Sequence, residues 1–302
     1  MSHTPVMLKE VIDVLQPEEG KVFVDGTFGC GGHTVGLLEK GASVIALDQD
    51  PDAVRRGKKM EGDWGGRLKV EHGNFREWER VGEVDGALLD LGVSSTQLDE
   101  GARGFSVRRD GPLDMRMDSS QGVTAADVVN GKSERELEMI FRTYGEERAS
   151  RRIAKAIAQS RVQAPFESTL QLAALVERMA GGGSRKKGIH PATRVFQALR
   201  IFVNDELHAL KEALEALRFM LKPGARMAVI SFHSLEDRMV KQFIARCSQS
   251  EIRAEGMAFG HKNPDYFLKK LGDWASSPEE IAQNPRARSA RLRAAERVDY
   301  VA

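Results

Sequence analysis

The sequence predicts an α/β fold built on a mostly parallel sheet. Short apolar runs alternate with segments of helical periodicity through the first ninety residues, which is typical of successive βα units. The first run, 22–24, leads into a turn with four glycines, Gly26, Gly29, Gly31 and Gly32. Three such runs end in an aspartate, and ligands of parallel sheets bind beyond the carboxyl ends of the strands.

Composition limits the classes of protein to consider. The chain has 302 residues, with 45 Lys and Arg against 44 Asp and Glu and a net charge of +1, so any affinity for a polyanion must come from local patches. Cys30 and Cys247 are far apart, which argues against a zinc site or a disulfide framework. Residues 1–5 do not resemble a signal peptide, and the longest apolar runs are strand-length. We therefore expect a cytoplasmic protein that binds no metal and no membrane.

The first two βα units follow from the apolar pattern. A helix is predicted over 6–15, a strand over 22–24 and a helix directly after the glycine turn. A second strand, 43–47, leads into Asp48-Gln49-Asp50-Pro51. We assign Asp50 to the cap of the next helix, because proline favours the position that follows a cap. Asp48 is then placed to bind ribose hydroxyls.

Two further strands complete this half of the sheet. Residues 68–70 form a strand that leads to Phe75, which either stacks on an adenine ring or packs in the core. Residues 84–92 form the predicted fourth strand, with Asp90 at its carboxyl end. Asp25, Asp48 and Asp90 therefore lie along one rim of the predicted sheet.

The βα rhythm then stops. Residues 91–118 are polar and glycine-rich, as expected of a substrate loop. Helical patterns occupy 125–179, and a flexible basic linker is predicted over 181–188. We predict a discontinuous catalytic domain, 1–107 and 191–302, that contains an inserted helical domain for substrate recognition, 108–190.

The sheet resumes in the last third of the chain. One helix is predicted over 198–221, ended by Lys222-Pro223-Gly224. A strand over 226–232 places His233 at its end, and a helix follows over 235–247. Residues 250–285 have little periodicity, and 286–297 fits either a last strand or a helix.

The glycine turn favours one class of nucleotide ligand. The dinucleotide fingerprint fails at its last position, where Thr34 stands in place of glycine. Asp25, ahead of the glycines, suits the amino group of an amino-acid tail. This combination indicates S-adenosylmethionine, and the alternative is a tight turn that binds nothing.

Basic residues cluster locally. Arg148, Arg151, Arg152 and Lys155 lie at near-helical spacing, and a second cluster follows at 185–187. Further arginines lie at Arg194, Arg200, Arg286, Arg288, Arg291 and Arg293. Each cluster alone is typical of a solvated face, whereas several around one cleft favour an RNA backbone.

Long motifs in order along the chain resemble a known family. They are Asp25-Gly-Thr-Phe-Gly-Cys-Gly-Gly-His33, Asp90-Leu-Gly-Val-Ser-Ser95, Arg103-Gly-Phe-Ser106, Asp110-Gly-Pro-Leu-Asp-Met-Arg-Met-Asp118, Thr143-Tyr-Gly-Glu-Glu-Arg148, His190-Pro-Ala-Thr-Arg194, Phe196-Gln-Ala-Leu-Arg-Ile201, Ile230-Ser-Phe-His-Ser-Leu-Glu-Asp-Arg238 and Asn284-Pro-Arg-Ala-Arg-Ser289. The resemblance is to the bacterial RsmH (MraW) family of small-subunit ribosomal RNA cytosine-N(4)-methyltransferases, and it runs from His3 to Arg297.

The resemblance implies a class I S-adenosylmethionine-dependent methyltransferase fold with an inserted helical domain. It also implies methylation of one cytosine of the decoding centre, with the assembled small subunit as partner and neither DNA nor membrane. A homodimer is left open. By motif, the cofactor residues of the family fall on Gly31, Gly32, His33, Asp48, Phe75, Asp90 and Gln97. Asp25 is our addition to this set.

The acceptor in that reaction is an exocyclic amine, whose lone pair is delocalised into the ring. A carboxylate or carbonyl oxygen that binds an amine hydrogen favours attack of the nitrogen on the methyl group. Asp90 is the first candidate for this role, ahead of Asp110, Asp114 and His233. Amino-directed DNA methyltransferases carry an aromatic residue just after the fourth strand. It is absent here, so Phe105 and Phe232 become candidates for stacking on the base.

Two other functions stay open. The same fold methylates proteins and small molecules in other enzymes, and a module that binds the cofactor without turnover would remodel the ribosome instead. Methyl label in protein would favour the first alternative, and tight cofactor binding without turnover the second.

Overall fold

The computed structural model describes residues 5–180, 190–252 and 260–299. The chain forms two units, one of Met1–Gly92 with His208–Ala302 and one of Val93–Leu207. We call them the sheet unit and the helical unit. The predicted linker 181–188 lies outside the described residues.

The strands of the described residues all belong to the sheet unit. They are β1 (Val22–Asp25), β2 (Ser43–Asp48), β3 (Leu68–His72), β4 (Val84–Asp90), β5 (Leu221–Ser231), β6 (Glu251–Ile252), β7 (His261–Lys262), β8 (Leu268–Ala275) and β9 (Arg291–Arg297). Seven of them form one sheet in the order β3-β2-β1-β4-β5-β9-β8, and β6 pairs with β7. β1 to β5 are parallel, β9 is antiparallel to β5, and β8 is antiparallel to β9. The α/β class is confirmed, and 291–297 is the strand of the two alternatives.

The helices follow the apolar periodicity. They are α1 (Leu8–Leu15), α2 (Gly32–Glu39), α3 (Pro51–Met60), α4 (Ser95–Asp99), α5 (Ala125–Gly131), α6 (Glu134–Gly145), α7 (Ser150–Ser160), α8 (Thr169–Ala180), α9 (Thr193–Asn204), α10 (Glu206–Met220), α11 (Ser234–Cys247) and α12 (Pro278–Gln283). The cap assigned to Asp50 is confirmed, since its carboxylate accepts the Asp52 N–H at 2.9 Å and Pro51 is the first residue of α3. None of the helices in the described ranges has the length and apolar character needed to cross a membrane.

Both faces of the sheet are covered, as near-continuous apolar strands require. On one face Leu89 and Val229 pack with Trp78 and with buried side chains of α10 and α11. On the other face Phe23 and Leu88 pack with α1, α2 and α3. The apolar side chains of the strands are thereby buried on both faces of the sheet.

The helical unit has its own core. α6 packs against α7 and α9, and α7 packs against α8. Phe141, Ile153 and Leu199 are fully buried between them, together with Leu113 and Met115 from the irregular segment that precedes α5.

The helical unit is wider than the predicted insertion, 108–190. It runs from Val93 to Leu207 because Phe105 on one side and Phe196 and Leu199 of α9 on the other belong to its core. Phe105 is 6% exposed, so this side chain has almost no free face on which a base could stack. The ring therefore serves the core of the helical unit, and its role as a stacking platform stays a prediction.

The single helix predicted over 198–221 is two helices. Asp205 adopts a left-handed conformation at φ 50°, and its N–H closes α9 on the carbonyls of Ile201 and Phe202. The apolar spacing continues across this break, which is why periodicity alone did not locate it. α9 belongs to the helical unit, and α10 belongs to the sheet unit from His208 onward.

The predicted stop at Lys222-Pro223-Gly224 and the predicted start of the strand at 226 also differ from the structure. α10 ends at Met220, and β5 already begins at Leu221. The pairing of β5 with β4 is irregular between Leu221 and Arg226, so Lys222, Pro223 and Gly224 lie within a bulge. Proline and positive-φ glycine are tolerated in strands at such bulges.

Candidate cofactor site

The glycine turn connects β1 to α2, and two of its glycines lie where a larger residue would collide with its neighbours. Gly31 has φ 80°, and a Cβ there would lie 2.8 Å from Cζ of Phe28. A Cβ on Gly26 would lie 2.6 Å from Cδ2 of Leu89. α2 begins at Gly32, and its N-terminus has no side-chain cap. The turn therefore leaves backbone N–H groups at the start of α2 for a ligand.

Asp25 supports this turn from inside. Its Oδ1 accepts the Thr27 N–H at 3.0 Å and the Thr27 hydroxyl at 3.3 Å, and its Oδ2 accepts the Thr34 hydroxyl at 2.7 Å. Burial raises the pKa of its carboxyl, although these hydrogen bonds oppose the shift. Asp25 is only 1% exposed, so its contacts in this structure serve the turn itself.

Asp48 joins the end of β2 to the glycine turn. Its Oδ2 accepts the Gly29 N–H at 2.7 Å, and its Oδ1 accepts the Asp50 N–H at 2.8 Å. Burial raises the pKa of this carboxyl to about 6. Each carboxylate oxygen retains a second lone pair, and the side chain is half-buried, so it can still accept hydrogen bonds from hydroxyl groups.

Asp90 ends β4 beside the glycine turn. Its N–H donates to Oγ1 of Thr27 at 2.6 Å, and its Oδ2 lies 3.5 Å from Nδ1 of His33. Its Oδ1 is buried and has no hydrogen-bond partner within the described part of the chain. Burial raises the pKa of the Asp90 carboxyl to about 6, against the opposing charge of His33. A buried acceptor without a partner is costly, and it indicates a ligand group that completes the site.

His33 and Phe75 are the remaining candidate cofactor residues of the sheet unit. His33 is 6% exposed, and its Nε2 lies 2.9 Å from the Val6 carbonyl oxygen. Phe75 begins a 3-10 segment after Asn74, whose side chain accepts the Arg76 N–H. The Phe75 ring is half-buried and packs at the margin of the core around Trp78. Core packing and adenine stacking therefore both remain compatible with its position.

Gln97 belongs to the helical unit, whereas the other candidate cofactor residues belong to the sheet unit. It is 5% exposed, and its Oε1 accepts the Ser94 N–H at 2.9 Å while its N–H donates to the Ser94 hydroxyl at 3.3 Å. This reciprocal pair is a capping box at the start of α4.

The second-choice catalytic residues have local partners. In the helical unit, Asp114 forms a bidentate pair with Arg116 at 2.9 and 2.8 Å, and the exposed Asp110 accepts the Leu170 N–H at 3.3 Å. In the sheet unit, His233 caps α11 and its Nε2 lies 3.1 Å from Oε1 of Glu236. Each of these side chains has a structural task that Asp90 lacks.

Sequence reasoning missed two residues that organise the site. Thr27 is the direct link between Asp25 and Asp90, and a hydroxyl residue inside a glycine turn was the available signal. Glu236 is 2% exposed and accepts the Phe232 N–H at 2.9 Å. Its spacing three residues after the cap of α11 is that of a capping box.

The strand order, the glycine turn and the aspartates at the ends of β2 and β4 together define a class I S-adenosylmethionine-dependent methyltransferase. The chain belongs to the MraW methylase family, whose sequence profile matches residues 1–298.

Its relatives are similar over nearly the whole chain. A protein of Chelativorans sp. (strain BNC1), named ribosomal RNA small subunit methyltransferase H, is 51% identical, and the match covers 99% of this chain and 88% of the relative. A protein of the same name from Syntrophotalea carbinolica is 50% identical, with 98% of each chain covered. The crystal structure of an rRNA methylase from Streptococcus thermophilus matches with a TM-score of 0.43 at 11% identity, covering 97% of this chain and 94% of that one.

Proposed function

We propose that this enzyme transfers a methyl group from S-adenosylmethionine to the exocyclic N(4) amine of one cytosine in the decoding centre of small-subunit ribosomal RNA. The substrate class rests on the family and on relatives that are about half identical and are named ribosomal RNA small subunit methyltransferase H. The observation that carries the chemistry is the buried Oδ1 of Asp90, which has no partner among the described residues.

The cofactor is held by residues of the glycine turn and of the neighbouring strand ends. The backbone at Gly31 and Gly32 gives close access to the turn, and Asp48 accepts the ribose hydroxyls with its remaining lone pairs. The Phe75 ring contacts the adenine. We keep His33, Asp90, Gln97 and Asp25 among the cofactor-binding residues. His33 acts through the Asp90 carboxylate, and Asp25 acts by holding the turn. S-adenosylmethionine supplies an activated methyl group as a sulfonium. The residues of the chain bind the cofactor and position the acceptor amine.

Asp90 is the residue that acts on the acceptor amine. A carboxylate oxygen that accepts one amine hydrogen turns the nitrogen lone pair out of conjugation with the ring. It also stabilises the positive charge that develops on the nitrogen as the N–C bond forms and the S–C bond breaks. The amine must then lose a proton, and a carboxyl whose pKa is raised to about 6 is a better acceptor for it than an exposed aspartate.

The helical unit, Val93–Leu207, is the recognition domain in this proposal. It has an independent core and follows directly after the strand that ends in Asp90. The target cytosine is unstacked to reach the carboxylate, and the assembled small subunit supplies the local RNA structure that presents it.

Transfer of labelled methyl groups tests this proposal. The enzyme is incubated with methyl-labelled S-adenosylmethionine and, separately, with unmethylated small subunits, naked ribosomal RNA and transfer RNA. We expect label in N(4)-methylcytidine from the small subunit, and none with Asp90→Ala.

Three other outcomes contradict the proposal. Label in another nucleoside would exclude the N(4) amine as acceptor. Label in ribosomal protein would favour a protein methyltransferase. Cofactor binding without transfer to any of these substrates would favour a binding module.

A further inference from the structure

Four basic side chains lie at the start of α7, Arg148 just before the helix and Arg151, Arg152 and Lys155 within it, and we call these four the α7 stripe. Within the helix, Lys155 lies four residues after Arg151 and three after Arg152, so these three side chains share one side of α7. The opposite side carries Ile153, Ala154 and Ile157, each 0% exposed in the core of the helical unit. All four basic side chains are exposed.

The α7 stripe has no acidic counterpart. Within the described residues none of its four side chains forms an ion pair or a hydrogen bond. No Asp or Glu occurs between Arg148 and Phe166, and the nearest acid, Glu147, accepts the Ala149 N–H at 2.7 Å. Elsewhere in the helical unit basic side chains do pair closely, as Arg116 does with Asp114 and Arg200 with Glu206.

The positions of these charges oppose helix formation. Like charges three and four residues apart repel each other, and Arg151 and Arg152 lie in the first turn, at the positive end of the helix dipole. The preceding helix follows the opposite rule, with Glu134 and Glu136 in its first turn. α7 therefore owes its stability to its buried side, and its exposed side concentrates positive charge that an external anion would neutralise.

We infer that the α7 stripe is a binding surface for the phosphodiester backbone of the RNA substrate. This inference rests on the proposed function for the identity of the RNA. A row of cations from Arg148 to Lys155 matches a ligand that carries repeated single negative charges. Guanidinium groups, which make up three of the four, bind phosphate oxygens in a bidentate manner. Contacts of this kind position the RNA and leave the choice of nucleotide to other residues.

The test compares two variants with the same change in net charge. In the first, Arg148, Arg151, Arg152 and Lys155 are each changed to Gln. In the control, four exposed lysines of the sheet unit that also have no partner among the described residues are changed to Gln: Lys40, Lys59, Lys211 and Lys241. Binding to a transcript of the small-subunit ribosomal RNA is measured over a range of salt concentrations.

For the stripe variant we expect the slope of log K against log salt to fall by about 3, because each lost phosphate contact removes about 0.7 to 0.9. We also expect at least a tenfold rise in the Kd for RNA at low salt, with the Kd for S-adenosylmethionine unchanged. The control should retain the wild-type slope. The thermal midpoint of the stripe variant should equal or exceed that of the wild type, since repulsion is removed.

The result that would overturn the inference is a wild-type slope in the stripe variant, or an equal loss in the control. The first outcome makes the stripe a solvated face, and the second makes binding a matter of net charge. A failure of the proposed function is distinguishable. If the wild type binds the transcript through the stripe but transfers no label to the unmethylated small subunit, the surface stands and the assigned reaction fails.

Discussion

His33 lies between Val6 and Asp90, with its Nε2 2.9 Å from the Val6 carbonyl oxygen and its Nδ1 3.5 Å from Oδ2 of Asp90. A carbonyl oxygen only accepts hydrogen bonds, so Nε2 carries a hydrogen. The other ring nitrogen then meets the carboxylate favourably only when one proton lies on Nδ1 or on the carboxyl. His33 thus links the charge of the Asp90 carboxylate to the backbone carbonyl of Val6.

Removing the Asp90 carboxylate should abolish turnover. For Asp90→Ala we expect kcat to fall by at least about 10²-fold, the usual cost of deleting one group that stabilises transition-state charge. The measurement is single-turnover methyl transfer at saturating cofactor. Glu83→Ala is the matched control, because Glu83 is an exposed acid just before the same strand. Near-wild-type transfer by Asp90→Ala would exclude the assigned role.

Activity should fall as the pH drops through about 6, because a protonated Asp90 carboxyl carries no negative charge to stabilise the developing positive charge on the amine and cannot take up its proton. The charge of His33 lowers the pKa of Asp90, so His33→Gln should move this limb of the kcat profile to higher pH. The Gln amide can still donate to the Val6 carbonyl. The exposed His208 provides the control variant, His208→Gln. Superimposable profiles for His33→Gln and wild type would contradict the coupling.

The ionised carboxylate of Asp90 should lower the free energy of unfolding. Burial raises its pKa from 3.8 to about 6, so ionisation destabilises the folded state increasingly between these two pH values. Asp90→Asn should therefore raise the free energy of unfolding at pH 8 by about 1 to 3 kcal/mol. Since the side chain is 26% exposed, we expect the lower part of this range.

This gain should shrink as the pH falls below about 6 and should vanish only well below pH 3.8, where the wild-type carboxyl is protonated in both the folded and the unfolded state. Denaturant titrations at pH 8 and pH 4.5 measure the difference. A variant that is less stable than the wild type at pH 8 would show that the carboxylate stabilises the fold.

The hydroxyl of Thr27 should matter more than its methyl group. It accepts the Asp90 N–H at 2.6 Å and donates to Asp25, so Thr27→Val leaves both groups without this partner. We expect a loss of about 1 to 3 kcal/mol in the free energy of unfolding and weaker cofactor binding. Thr27→Ser keeps the hydroxyl and should restore most of both. Equal effects of Val and Ser would assign the loss to packing.

Gly31→Ala should impair cofactor binding through the backbone. The residue has φ 80°, and the new Cβ would lie 2.8 Å from the Phe28 ring, so the turn must change shape. We expect at least a tenfold increase in the Kd for S-adenosylmethionine, measured by calorimetry. Gly62→Ala is the control, since a Cβ there meets nothing within 4 Å and its φ is not positive. An unchanged Kd in Gly31→Ala would remove the turn from the site.

Much of the sheet unit was predictable because its signals are local. The apolar runs that became β1 to β4, the cap at Asp50 and the aspartates at the strand ends all follow from neighbouring residues. The long motifs identified the family, which the sequence profile confirms, and the cofactor residues assigned from them stay predictions. Local signals failed where a break preserves the apolar spacing, as at Asp205 between α9 and α10.

The amino-acid sequence alone was therefore enough for the fold class, the cofactor class and the residues to examine. Their individual tasks came from contacts between distant parts of the chain. His33 meets Val6 across 27 positions, and Thr27 meets Asp90 across 63. Only the folded chain reveals that the Asp25 carboxylate accepts hydrogen bonds within the turn and that Gln97 belongs to the capping box of α4. The same holds for Oδ1 of Asp90, which has no partner among the described residues. Burial and hydrogen-bond partners depend on which segments pack together, and no local pattern of residues encodes that packing.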